Sequence, residues 1–219
     1  MSPHQIRRYA ERAGVIALTL ALLMSVPAAA ATDLRYRACL DPGHGGTDPG
    51  ATAGTLLEKE LNLDIAQRVR ALLDATVYNV TLTRNDNDTT LGNSARAQIC
   101  NAASAQLVLS IHLNASTDTT VDYVWFFYGK PQKDKAFAAT MDANYRILDA
   151  SGNCCLTHKA ITNFANGTLL KSNAPASLAE GLFMSNTQER TLLAATDASS
   201  RRQQIADQLV KGIRAFAGR

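Results

Sequence analysis

The stretch Leu40-Asp41-Pro42-Gly43-His44-Gly45-Gly46-Thr47-Asp48-Pro49-Gly50-Ala51 organises this chain. The apolar run Tyr36 to Leu40 leads into it and reads as a buried strand. Its glycines and prolines then turn the backbone sharply. His44 sits at the end of that strand among residues with small side chains. There its imidazole stands at a sheet rim, open to a ligand or a metal. Taken alone, the same stretch is also an ordinary turn with a surface histidine, so its meaning depends on what the rest of the chain brings to it.

Working outward, strand and helix patterns alternate. Arg35–Leu40 is the first strand. Glu60–Ala75 sets Leu61, Ile65, Val69, Leu72 and Leu73 on one helical face. Val77–Thr83 is rich in β-branched residues. Ser94–Ala103 is expected to be a short helix with Ala95, Ile99 and Ala102 inward. Leu107–Leu113 is an apolar strand interrupted by Ser110 and His112, and Val121–Tyr128 is a further strand. Asp134–Leu148 is amphipathic, with Phe137, Met141, Tyr145 and Leu148 inward. Ser151-Gly152-Asn153 is a turn, Ala176–Ala179 a short strand leading into Glu180, and Ser200–Ala217 a closing helix on Ile205, Leu209, Ile213 and Phe216. Strands separated by helices of this length predict an α/β fold: a single domain with a mostly parallel twisted sheet flanked by helices. Ligands of such sheets bind beyond the carboxyl ends of the strands, where His44 and His112 both fall.

The N-terminal 31 residues read as an export signal: Arg7, Arg8 and Arg12, then an apolar run from Ala13 to Val26, then Ala28 to Ala31 as a small-residue cleavage site. The run is short for a membrane span. The expected organisation is a signal peptide over 1–31 and one catalytic domain over 32–219. The product is then exported, periplasmic or extracellular, without a membrane anchor and monomeric. The formal charge of the whole chain is +3, and three of its arginines leave with the signal. A near-neutral mature chain gives no electrostatic case for nucleic acid or an anionic membrane as partner.

Cys39, Cys100, Cys154 and Cys155 would meet an oxidising compartment. Three connectivities are open. A Cys39–Cys100 bridge is conceivable, buried thiols fit as well, and vicinal Cys154 and Cys155 are not expected to bond each other. The spacing matches no structural zinc pattern.

Four residues carry candidate chemistry: His44, Glu58 before the first long helix, His112 and Glu180. Two imidazoles and a carboxylate make an open zinc site with one position left for water. A second carboxylate nearby can take that water's proton and pass it to a leaving amine, which suits amide hydrolysis. Each position also has a plainer reading. Glu58 is a carboxylate favoured at a helix start, with Glu60 as its rival. His112 is a satisfied core histidine, and Glu180 a surface residue. No His-Glu-x-x-His helix is present.

Leu40–Ala51, Glu58-Lys59, Thr83-Arg84, Arg96–Asn101, Ser110–Ala115 and Glu180–Asn186 together resemble the zinc-dependent N-acetylmuramoyl-L-alanine amidases of the amidase 3 type, the cell-wall autolysins. Their order and spacing agree from about Arg35 to Arg219. The resemblance implies Zn2+ as cofactor, held by His44, Glu58 and His112, and Glu180 as the catalytic glutamate that activates water. It implies peptidoglycan as substrate, cut at the amide between N-acetylmuramic acid and L-alanine of the stem peptide during wall remodelling or daughter-cell separation. An activator protein is a possible partner. Arg84 and Arg96 resemble recurrent family arginines and are assigned structural ion pairs. Asn114 either orients a ligand or touches substrate, and His158 is read as a surface residue. The motif glycines are expected to keep side chains out of the substrate's path to the metal.

The chain departs from the family pattern in three places. Leu91 to Arg96 is two residues longer than usual, Gly181-Leu182 replaces an aliphatic-glycine pair, and Cys100 stands where alanine is common. Some relatives carry an added helix that plugs the site. Gly129 to Ala179 is too short for one, so an open cleft is expected, with no helix from 150–175 lying over His44 and His112. Two other readings fit the same residues: a zinc peptidase cutting within the stem peptide, and an inactive wall-binding regulator.

Overall fold

In the computed structural model, residues 33–197 and 200–219 are described, and one compact unit runs from Arg35 to Arg219. The proposed export signal lies outside the described residues. Strand β1 (Tyr36–Pro42) enters the glycine turn, and a two-residue hairpin, β2 (Thr52–Ala53) with β3 (Leu56–Leu57), delivers the chain to helix α1 (Glu58–Leu72). There follow β4 (Tyr78–Leu82), α2 (Asn93–Ala102), β5 (Leu107–Asn114), β6 (Trp125–Tyr128) and α3 (Pro131–Asn144). The chain ends with β7 (Thr162–Asn163), α4 (Gly167–Lys171), β8 (Ala176–Phe183), α5 (Thr187–Ala194) and α6 (Arg201–Ala217).

Six strands form one sheet in the order β4-β1-β5-β8-β6-β7. β1 is parallel to β4 and β5, and β5 to β8, whereas β6 runs antiparallel to β8. The mostly parallel α/β sheet expected from the alternating pattern is therefore present. Both faces are covered, which is why β1 and β5 read as near-continuous apolar runs. Ala38, Leu40, Leu109 and Ile111 belong to the larger core with α1, α3 and α6, through Leu61, Ile65, Met141, Leu209 and Ile213. Cys39, Val108 and Leu178 point to the other face, where Cys100 of α2 and Leu169 of α4 close a smaller core.

Several local expectations change. α1 begins at Glu58, two residues early, and α3 begins at Pro131, a residue suited to a first helical turn because its missing N–H has no helical acceptor to lose. α3 stops at Asn144: Tyr145 turns extended and donates its hydroxyl to the Gly181 carbonyl at 3.1 Å, which leaves Leu148 exposed rather than inward. The buried face of α2 is Arg96, Ala97 and Cys100, not Ala95, Ile99 and Ala102. It is turned that way because Cys100 bonds Cys39 and Arg96 bonds Asp41.

Strand β6 starts only at Trp125, and Val124 before it forms an isolated bridge to His158. His158 is half-buried with Nδ1 2.7 Å from Asp142 Oδ1, so the surface reading of this residue is wrong. Cys154 and Cys155, expected to stay apart, are joined to each other. The peptide bond between them is cis and brings their Cα atoms to 3.0 Å. α5 was not anticipated. Asn186 caps it by accepting from the Gln188 and Glu189 amides, and Glu189 three residues on completes a recognisable start signal.

Candidate metal centre

The site is assembled at the carboxyl end of the sheet. His44 follows β1 directly, in the left-handed region at φ 59°, and the Arg96 guanidinium grips the carbonyl oxygens of Pro42 and His44 at 2.8 and 2.6 Å. Arg96 also donates to Asp41 Oδ1 at 2.9 Å. Asp41 is 1% exposed and takes further bonds from Thr83 Oγ1 and Ser110 Oγ. Arg84 is buried beneath the same turn and donates to the carbonyls of Pro42, Gly43 and Lys59. Both arginines thus brace the backbone; Arg96 makes the structural ion pair expected of it, whereas Arg84 donates to carbonyl oxygens and to Asn87 Oδ1 rather than to a carboxylate. The longer Leu91–Arg96 loop is accommodated by Arg96 donating to the Leu91 carbonyl.

Glu58 opens α1 and is 4% exposed, while Glu60 in the same first turn faces solvent, which removes the rival. The Glu58 carboxylate lies between the two imidazoles: Oε2 is 3.0 Å from His44 Nε2, and Oε1 is 3.0 Å from His112 Nδ1. The Ala51 amide, the Leu113 amide and the Asn62 side chain donate to it as well. Asp48 Oδ2 stands 2.8 Å from His44 Nδ1, fixing the ring so that Nε2 turns toward Glu58. Burial would lower the His44 pKa, but the hydrogen bond and charge of Glu58, joined by Asp48, raise it to about 9. Burial would likewise raise that of Glu58, but His112 and His44 outweigh it and hold the carboxyl well below the usual range.

Among the described residues, His44, Glu58 and His112 form a group able to hold a metal ion, with ligand atoms all within 4.8 Å of one another. Tetrahedral zinc with bonds of about 2.0–2.1 Å spaces its ligand atoms about 3.3 Å apart, near the 3.0 Å seen on both sides of Glu58. Two nitrogen donors, one oxygen donor and a buried negative charge suit that ion.

Two of the motif glycines, Gly43 and Gly50, make room for the candidate ligands, while Gly45 and Gly46 pack against Arg84 and the Asp88–Thr90 segment. A Cβ on Gly43 would stand 2.2 Å from the His112 ring, and one on Gly50 would meet Glu58 Oε2 at 2.6 Å and His44 Cδ2 at 2.7 Å. The side chains of His112, Glu58 and His44 occupy the space that side chains at Gly43 and Gly50 would take.

Glu180 is the register partner of His112 on β8 and lines the same cleft as His44, His112 and Arg96. Its carboxyl Oε2 is buried with no hydrogen-bond partner among the described residues. Burial raises its pKa to about 7, with a further upward push from Glu58, against the pull of His112 and His44. The register slips at the Gly181-Leu182 exchange: two steps along β5, His112 to Asn114, match three along β8, Glu180 to Phe183, so the extra residue lies on β8 between Glu180 and Phe183. Asn114 bonds its neighbour, the Ala115 amide. Residues 150–175 supply β7, α4 and the loops around them, and Phe164, Asn166 and Thr168 from this segment form a side wall of the cleft. Among the described residues the only helix of this segment is five residues long and stands in the cleft wall, so the expectation of no added plug helix over His44 and His112 holds. Sequence reasoning missed Asp48, although a carboxylate four residues after the histidine in a tight turn was a usable signal.

Residues 38–215 match the family model for N-acetylmuramoyl-L-alanine amidase. A germination-specific N-acetylmuramoyl-L-alanine amidase of Bacillus subtilis (strain 168) is 34% identical over 80% of this chain and 76% of its own length. The catalytic domain of the N-acetylmuramoyl-L-alanine amidase CwlV from Bacillus (Paenibacillus) polymyxa var. colistinus superposes with a TM-score of 0.73 at 27% identity. That match covers 84% of this chain and 98% of the domain. The CwlD amidase from Clostridioides difficile, solved in complex with the GerS lipoprotein, gives 0.72 at 27% identity over 84% and 99%. Matched over most of its length in sequence and fold, with a His-Glu-His group at the carboxyl end of its sheet, the chain belongs to the N-acetylmuramoyl-L-alanine amidase family.

Proposed function

We propose that this protein is a zinc-dependent peptidoglycan hydrolase. It cuts the amide between N-acetylmuramic acid and L-alanine of the stem peptide, with His44, Glu58 and His112 holding Zn2+ and Glu180 as general base. We also propose that residues 1–31 are an export signal and that the catalytic domain, 32–219, works in the periplasm or at the cell wall. The described residues contain no helix long and apolar enough to cross a membrane. A partner protein that activates it is consistent with the lipoprotein complex of the C. difficile relative.

The observation that carries this reading is the pairing of a metal-binding group with a separate buried carboxyl on the adjacent strand. Zinc would polarise the scissile carbonyl and acidify water. This chain's residues do the rest. Asp48 holds the His44 ring, the Ala51 and Leu113 amides hold Glu58, and the Arg96 fork holds the turn. With a pKa near 7, Glu180 exchanges a proton readily at neutral pH. It accepts one from the attacking water and returns it to the nitrogen of L-alanine as the amide breaks. Walls from α2 and the segment before α4 keep the cleft one-sided, so the substrate enters from solvent.

Mass spectrometry of material released from purified sacculi tests the reading. Intact stem peptides with a new amine on L-alanine, abolished by chelator and restored by zinc, are expected. Cuts between later residues of the stem would replace it with a peptidase.

A further inference from the structure

The sheet face that carries Glu180 continues sideways into a ledge of aromatic rings with no part in the metal centre. On β6, Trp125 is the register partner of Glu180, and Phe127 that of Leu178. Directly opposed residues of an antiparallel pair leave the sheet on the same face. Trp125 and Phe127 therefore project on the side of His112 and Glu180. Their rings are 4.5 Å apart, and Phe164 follows 5.4 Å beyond Phe127. Phe164 is 46% exposed and shares the wall of the cleft with Leu178 and Glu180. The Trp125 indole N–H is held by the Ala160 carbonyl and Thr162 Oγ1, which fixes the plane of the ring.

Half-exposed aromatic rings held rigidly beside a reaction cleft are a cost to hydration that folding does not recover, and such patches mark binding sites. A pyranose ring offers a flat face of C–H groups that lies on an aromatic ring while its hydroxyls stay in water. A stem peptide that opens with L-alanine offers no such flat apolar face. We propose that the ledge Trp125–Phe127–Phe164 is a carbohydrate-stacking subsite that seats an N-acetylhexosamine ring of the glycan strand beside the cleft. The inference rests on the peptidoglycan reading above. The occupant follows from continuity with the cleft, since one end of the ledge adjoins Glu180 and the other lines the cleft wall.

Trp125 is the only tryptophan in the chain, so its emission reports on the ledge without interference. The test titrates the zinc-loaded protein with a tetramer of β-1,4-linked N-acetylglucosamine, with peptide-free glycan strands, and separately with free stem peptide. The glycans should change Trp125 emission saturably and the stem peptide should not. Phe164→Ala, at an exposed position that the fold does not need, should weaken the glycan titration about fivefold. The proposal is overturned by silence toward both glycans, by a response to stem peptide at lower concentration than to glycan, or by indifference to Phe164→Ala. Product release from sacculi is measured alongside. A protein that releases stem peptides but ignores glycan loses only the ledge. One that binds glycan but releases nothing loses the amidase reading and keeps a sugar site.

Discussion

His112 and Glu180 are register partners on the adjacent parallel strands β5 and β8. Their side chains leave the sheet together, and His44 reaches the same space from the end of β1, with the two imidazole centroids 4.9 Å apart. The sheet itself sets the spacing between the candidate base and His112, one of the three candidate ligands. Elements this rigid suit a site in which an ångström of misplacement matters.

Gly43 is the turn position pressed most closely against a candidate ligand. Gly43→Ala would drive a methyl into the His112 imidazole, with 2.2 Å between the new carbon and Cε1. The variant is expected to fold, to lose zinc stoichiometry by elemental analysis, and to release stem peptides about a hundredfold more slowly. Gly92→Ala meets nothing within 4 Å and serves as the silent control.

Arg96→Ala removes the partner of a carboxylate that is 1% exposed. Leaving Asp41 charged and unpaired costs about 3–5 kcal/mol, read as a lower urea midpoint. Zinc affinity should fall with it, because the His44 carbonyl loses its donor. Arg96→Lys should recover only part of the loss, since one ammonium cannot serve Asp41, Pro42, His44 and Leu91 at once. A stability loss under about 1 kcal/mol would contradict the bracing role.

Asp122, away from the candidate metal group, contributes to the pH dependence of stability. It accepts from the Phe183 amide at 3.0 Å. Burial, with help from Glu189, raises its pKa to about 7 against the pull of Phe183 and Arg201. The folded protein therefore keeps a proton that the unfolded chain gives up near pH 4. The stability this proton brings is complete below that value and is lost as pH rises through about 7. Asp122→Asn mimics the protonated form, so its stability relative to wild type should grow between pH 5 and pH 8 in urea unfolding. A difference that stays constant across that range would refute the assignment.

The sequence made the layered fold legible because its strands are buried on both faces and its helices keep a 3.6-residue stripe, as at Leu61, Ile65 and Val69. His44, Glu58, His112 and Glu180 could be singled out because glycine turns and apolar strands frame them. What the sequence hid depends on contacts distant along the chain. α3 ends at Asn144 because the Tyr145 hydroxyl finds Gly181, and α2 shows its particular face because Cys100 and Arg96 find Cys39 and Asp41. The purpose of Gly43 and Gly50 emerges only when the side chains filling their space are seen. Two-residue strands such as β2 and β3 carry too little pattern to be read.

Glu180→Gln gives the most direct test of the central claim that a metal-binding group and a separate carboxyl base together hydrolyse the amide. The substitution keeps the shape of a side chain whose Oε2 is already buried and without a partner. Zinc content and release of stem peptides from sacculi should be measured on the same preparation. The account predicts full zinc and a fall in release of about 10²–10⁴-fold. Release within a few fold of wild type at full zinc would contradict it.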